Sequence, residues 1–110
     1  MKLATRSQDG ANILEVQGDI DLYNSPEIRK ALLEALRDKN AKRVVVNLTG
    51  VRYIDSSGVA SLVEGLKKAR ELNLRFILCG LSNAAREVLE LSRLIKVFEV
   101  YATEEEALKP

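Results

Sequence analysis

The chain has 110 residues, 46% hydrophobic and 30% charged, the balance of an ordinary globular chain. Seventeen Lys and Arg against sixteen Asp and Glu leave a formal charge of +1, without the basic stripe that a nucleic-acid surface needs. The absence of histidine removes Ser-His-Asp and Cys-His catalysis and histidine metal ligation, and the single cysteine removes an internal disulfide. The length suits one domain over residues 1–110. No run of about 18 apolar residues marks a membrane-spanning helix. The opening MKLATRSQDG lacks the apolar stretch of a secretory signal, so a cytosolic protein without a membrane segment is expected.

In chain order, KLATRSQ and NILEVQG flank Asp9-Gly10, a dipeptide suited to the positive φ angles of a tight hairpin. Two antiparallel strands are expected there. Ser25-Pro26 announces a helix, with serine as the cap and proline in the first helical position. Ile28, Ala31, Leu32, Ala35 and Leu36 then recur at i, i+3, i+4, i+7 and i+8 as one apolar stripe. RVVVNL, residues 43 to 48, is β-branched and nearly continuous in apolar character, a strand covered on both faces. After YIDSSG, the residues Val59, Leu62, Val63 and Leu66 return to helical spacing. LRFILCG, residues 74 to 80, is a second buried strand, and Cys79 within it reads as a buried thiol. Ser82 opens a short helix with Ala85, Val88 and Leu89 inward. KVFEVYA is the last strand, and Thr103 with Glu106 has the spacing of a capping box for a small terminal helix.

The expected order is β-β-α-β-α-β-α-β-α. Alternating strands and helices imply right-handed crossovers and a mostly parallel sheet, with the first hairpin adding an antiparallel edge strand. Three loops then leave the carboxyl ends of strands and meet at one end of the sheet, a usual functional edge of open α/β folds. They carry Asp19 and Asp21, Asp55 to Gly58, and Ser82 with Asn83.

Asp55-Ser56-Ser57-Gly58 is the polar spot that asks most for an explanation. Any of its first three residues can cap the following helix, at about 0.5–2 kcal/mol. Gly58 costs about 1 kcal/mol against alanine in a first helical turn, so something approaches the backbone closely there, either a partner protein or an anion. Asp19 and Asp21 can be read as a Mg²⁺ pair of a small phosphatase, or as loop carboxylates favoured near the helix start at Ser25. The phosphatase pattern also wants a third acidic cluster and a positioned lysine. No G-x-x-x-x-G-K-[ST] loop exists. Lys67 and Lys68 lie nearly three turns from the serines, too far for a general base. No catalytic residue, metal site or cofactor is expected. What remains is a hydroxyl at a helix N-terminus, a substrate for another protein's kinase. Phosphate adds roughly −1.5 to −2 charge, which the helix terminus tolerates and a flatly docked partner does not.

VVVNLTGVRYIDSSGVASLVEGLKKAR resembles the central segment of STAS domains, most closely those of bacterial anti-sigma factor antagonists. VQGDIDLYNSPEIRKAL resembles the family's G-x-[LI]-D strand end and its next helix, and FILCGLSNAAREVLELSRLIKVFEVYATEEEAL resembles its last strands and helices. The resemblance implies a single α/β STAS-type domain and phosphorylation on Ser56. It implies a partner that is itself the kinase, an anti-sigma factor of the GHKL type. That partner binds the unphosphorylated antagonist, gives up a sigma factor, and lets go once Ser56 is phosphorylated. A PP2C-type phosphatase resets the switch. Asp21, Asp55, Ser57 and Gly58 match family motif positions in the partner-binding region, with Tyr23, Asn24 and Val59 as further interface positions. STAS domains also serve as scaffolds of signalling complexes and as small subunits of lipid-transport ABC systems, the alternative role that the resemblance leaves open.

Overall fold

The computed structural model describes all residues from 1 to 110. The hairpin forms as its sequence asks. Strand β1 (Lys2–Gln8) and strand β2 (Ala11–Gln17) pair antiparallel from Gln8 opposite Ala11 to Lys2 opposite Gln17. Asp9 and Gly10 take φ of +52° and +78°, the two left-handed positions of the tight primed turn. Helix α1 (Ser25–Leu36) buries Ile28, Leu32, Ala35 and Leu36. Its beginning differs from expectation: the cap is Asn24, one residue before Ser25, and no side chain caps it. The Asn24 amide is spent inside the preceding loop, on Asp21 N–H and Asp19 O. Its backbone carbonyl receives the Glu27 and Ile28 N–H groups instead, and Pro26 has no N–H to satisfy.

Strand β3 (Arg43–Gly50) runs two residues beyond the expected RVVVNL. Helix α2 (Ser56–Glu71) is capped by Asp55 and carries Val59, Leu62, Leu66 and Ala69 into the core. Strand β4 (Arg75–Cys79) is buried at four of its five positions. Helix α3 (Asn83–Leu91) is capped by the Ser82 hydroxyl, which accepts the Ala85 N–H at 3.0 Å. Strand β5 is only Glu99–Tyr101, shorter than the expected KVFEVYA. The preceding residues finish α3: Arg93 sits at φ +62°, the Leu94 and Ile95 N–H groups return to Leu89 O, and Val97 N–H bonds Leu94 O. That left-handed helix termination consumes the length a longer strand would need. Helix α4 (Glu104–Ala107) is capped by Thr103, whose hydroxyl accepts the Glu106 N–H at 3.2 Å.

The five strands lie side by side in sequence order, β1-β2-β3-β4-β5, antiparallel at β1–β2 and parallel elsewhere. Because the order never reverses, right-handed crossovers put α1, α2 and α3 on one face. That face holds the main core, including Leu14, Val46, Leu48 and Leu78 from the strands and Ile28, Leu62 and Leu89 from the helices. The opposite face is a smaller apolar layer of Ala11, Ile13, Val45, Ile77 and Cys79, covered by Ala107 of α4. The three central strands thus lie between two layers, which is why Val44–Val46 of β3 and Phe76–Cys79 of β4 are unbroken apolar runs. The functional consequence lies at the strands' carboxyl ends, where the loops 18–24, 51–55 and 80–82 come together.

Candidate functional site

Two of these loops are stitched by their backbones. Ile20 and Ile54 form a parallel bridge; Ile20 N–H donates to Tyr53 O and Asp55 N–H donates to Ile20 O, each at 3.0 Å. Both isoleucine side chains are fully buried, so the polar loop surface rests on an apolar floor. The third loop joins through Ser82, whose hydroxyl donates to Arg52 O at 2.8 Å. The three polar spots of the sequence are neighbours, as topology required.

The Asp55 carboxylate is the knot of the site. Oδ1 accepts the Gly58 N–H at 3.0 Å and the Ser57 hydroxyl at 2.6 Å. Oδ2 reaches across to the other loop and accepts the Leu22 N–H at 3.0 Å. One side chain therefore caps α2 and fastens the loop after β2 to it. The Ser57 hydroxyl first, and the backbone N–H groups of Gly58, Leu22 and Ser57 after it, hold the Asp55 carboxyl below its ordinary range, because each stabilises the charged form.

The loop 19–24 is self-supporting. Asp21 Oδ1 accepts the Tyr23 and Asn24 N–H groups at 3.0 and 3.1 Å. Asn24 Oδ1 accepts Asp21 N–H at 2.8 Å, and Asn24 Nδ2 donates to Asp19 O at 2.7 Å. Asp19 lies 3.8 Å from the exposed Arg52 guanidinium. Asp21 is thereby a turn-former whose carboxylate faces backbone, and no group of three or more possible metal-ligating side chains occurs. The reciprocal Asp21–Asn24 bonding holds up the tip of the loop, where Leu22 and Tyr23 are 68% and 91% exposed. Nothing in the periodicity of the sequence singles out Leu22 or Tyr53, which is 48% exposed. The available signal was an apolar residue inside an otherwise polar loop.

The expected site residues divide by depth. Ser56 is exposed, and its hydroxyl takes no part in the hydrogen bonds that build the turn. Asp55, Ser57, Asp21 and Asn24 are half-buried, and Tyr23 stands in solvent. Gly58 and Val59 are buried and lie beneath the surface. The close approach that Gly58 signals is internal: a Cβ there would fall 2.6 Å from Ile20 Cγ2 and 2.7 Å from Ile54 Cγ2. No partner or anion is needed to account for that glycine. The surface as a whole is a rim of three short loops and a helix start, with three carboxylates, one guanidinium and three exposed apolar or aromatic side chains around the unengaged serine hydroxyl of Ser56. Such a surface fits a docking protein. The larger clefts lie elsewhere; one of about 500 Å³ is lined by Leu36, Lys39, Lys68 and Leu72, at the opposite ends of α1 and α2.

A family model described as STAS domain matches residues 2–107. The chain is 34% identical over 107 residues to BtrV of Bordetella bronchiseptica, a candidate anti-sigma factor antagonist, covering 97% of this chain and 91% of BtrV. The solved anti-sigma factor antagonist of Mycobacterium paratuberculosis superposes with a TM-score of 0.88 at 25% identity, over 97% of this chain and 90% of that one. The anti-sigma factor antagonist SpoIIAA of Bacillus has been solved unphosphorylated, with a TM-score of 0.74, 21% identity and 97% and 94% coverage. Its phosphorylated form gives 0.73, 23% identity and 97% and 96% coverage.

Proposed function

The chain belongs to the STAS domain family, and on that premise we propose that it is an anti-sigma factor antagonist. In its unphosphorylated form it binds an anti-sigma factor that is also a GHKL-type serine kinase, and a sigma factor is freed. Phosphorylation on Ser56 ends the binding, and a PP2C-type phosphatase restores it. The chain works here as a binding protein without catalysis of its own, and Ser56 is its one modified residue. The observation that carries this reading is the exposed, unengaged Ser56 hydroxyl at the start of a 16-residue helix, beside a serine and an aspartate that are both committed to the turn. The phosphorylated and unphosphorylated forms of SpoIIAA, a protein of the same fold, lend it support.

The surface chemistry explains why charge can act as the switch. Tyr23, Leu22 and Tyr53 offer apolar and aromatic area of the kind that anchors interfaces. Asp21, Asn24, Asp55 and Ser57 set the height and angle of that surface, with Gly58 and Val59 packed beneath it. A phosphate on Ser56 adds roughly −1.5 to −2 charge within a ring already holding Asp19, Asp21 and Asp55. Burying it against a partner without a counter-charge costs several kcal/mol. A mixing experiment tests the assignment: the purified chain with a GHKL-type anti-sigma factor, its sigma factor and ATP. Release of the sigma factor, followed by loss of the complex as phosphate accumulates, is the expected course. Stable binding to an ABC ATPase with none to the anti-sigma factor overturns it in favour of a scaffold.

A further inference from the structure

The two adjacent serines are unlike each other. Ser57 Oγ donates to Asp55 Oδ1 across 2.6 Å, a short charge-assisted bond, and the residue is half-buried. Its backbone carbonyl also receives the Ser61 hydroxyl at 3.1 Å, so both ends of the residue are held. Ser56 is exposed and held by nothing comparable. Resting on the phosphorylation reading above, we propose that Asp55 is the positioning residue that selects Ser56 over Ser57 as phosphoryl acceptor, by keeping the Ser57 hydroxyl occupied.

In the transfer, an Oγ lone pair attacks the γ-phosphorus of ATP. The bond from that phosphorus to the bridging oxygen breaks with its electron pair leaving on ADP, and the hydroxyl proton passes to a base on the kinase. For Ser57, the Oγ would first have to rotate off Asp55, leaving a half-buried carboxylate without its shortest hydrogen bond. A hydroxyl bonded to a carboxylate can also be an activated one, but here the base is weak. The Asp55 carboxyl is held low by Ser57, Gly58 and Leu22 together, so it orders the Ser57 proton without accepting it. Ser56 needs no bond broken before it enters a kinase site.

The test is phosphopeptide mapping of the full chain after incubation with Mg²⁺-ATP and a GHKL-type anti-sigma factor kinase. The parent should carry phosphate on Ser56, and Ser56→Ala should carry almost none. Adding Asp55→Ala to Ser56→Ala should raise the rate of Ser57 phosphorylation at least tenfold, which corresponds to about 1.4 kcal/mol. Asp55→Asn keeps a capping side chain and covers a failure of the alanine variant to fold; it should raise Ser57 phosphate by a smaller factor. No gain on Ser57 in either double variant overturns the proposal. A second arm needs no kinase: a carbon-13 titration of the Asp55 carboxyl. Ser57→Ala should move its midpoint up towards the ordinary carboxylate range, while Ser56→Ala should leave it in place. Equal movement in both variants overturns the proposal. If the parent takes phosphate on no serine, the switch reading fails, and the titration still decides whether Asp55 tells the two hydroxyls apart.

Discussion

A carboxylate introduced at residue 56 feels two opposing local fields. The helix N-terminus favours it by about 0.3–1 kcal/mol, but Asp55 already takes the Gly58 N–H and repels a second negative group. Ser56→Glu should therefore melt within a few degrees of the parent, since it disturbs no bond of the turn. It should bind the anti-sigma factor at least tenfold more weakly by titration calorimetry, equivalent to about 1.4 kcal/mol, whereas Ser56→Ala should bind like the parent. Unfolding of Ser56→Glu would make Ser56 a structural residue, and parent-like affinity would remove charge as the switch. Gly58 is a different case, because its constraint is volume. Gly58→Ala adds a methyl against Ile20 and Ile54, two fully buried side chains. Overpacking of this kind costs about 1–3 kcal/mol, and the better helix propensity of alanine returns about 1. A net loss of up to about 2 kcal/mol in urea denaturation is expected, and a stabilised variant would show that the floor can yield.

At the scale of elements, α4 is the one helix on its face of the sheet, and polar contacts fasten it. Arg6 of β1 donates to both Glu104 oxygens at 2.5 Å, and Asn47 of β3 donates to Oε1 at 3.0 Å. Arg43 donates to the carbonyls of Ala107 and Lys109, each at 3.0 Å. Beneath it lies Cys79, fully buried, its thiol pushed up to about 12 chiefly by burial and then by Glu104. The thiol is therefore a reporter of how often α4 lifts. Glu104→Ala should speed thiol labelling of Cys79 by dithiobis(nitrobenzoate) several-fold, as expected from losing a partly exposed ion pair and one further hydrogen bond, together about 1 kcal/mol. Global stability should change little, because local opening need not involve the whole fold. Labelling at the parental rate would mean that Cys79 is reached only by global unfolding.

For the whole molecule, the direction of each shifted group decides how stability follows pH. Asp55, Glu99 and Glu104 all sit below their ordinary range: Asp55 through the Ser57 hydroxyl, Glu99 through Arg75, and Glu104 through Arg6. On acidification the unfolded chain protonates these groups first, near pH 4. Their contribution is complete above the unfolded values and is lost as pH falls through the lower folded ones. Cys79 is shifted upward and works in the opposite sense: the folded state favours the neutral thiol, and this contribution is lost as pH rises from about 9 to about 12. Urea midpoints should thus agree at pH 6 and 7, fall below pH 4, and fall again above pH 9, with Cys79→Ala flattening part of the alkaline limb. A midpoint that rises on acidification would contradict the carboxylate assignments.

The amino-acid sequence by itself determined what depends on a few neighbouring residues and on period. Asp9-Gly10 specified its turn, Ser82 and Thr103 their caps, and the alternation of apolar strands with one-faced helices the order of elements and hence the parallel sheet. Handedness then brought the polar loops together without further information. The register of side chains across that sheet edge was beyond local reach. Asp55 and Leu22 are 33 positions apart, and only their meeting shows that one carboxylate caps a helix and fastens a loop. Ser25 lost the cap position to Asn24, whose own side chain is spent in the loop before the helix, β5 lost residues to the end of α3, and Gly58 proved to answer Ile20 and Ile54. By local spacing the two serines were equivalent, and only the family resemblance pointed to Ser56. Tertiary packing separated them, because which hydroxyl is held and which is free depends on where the Asp55 carboxylate comes to rest.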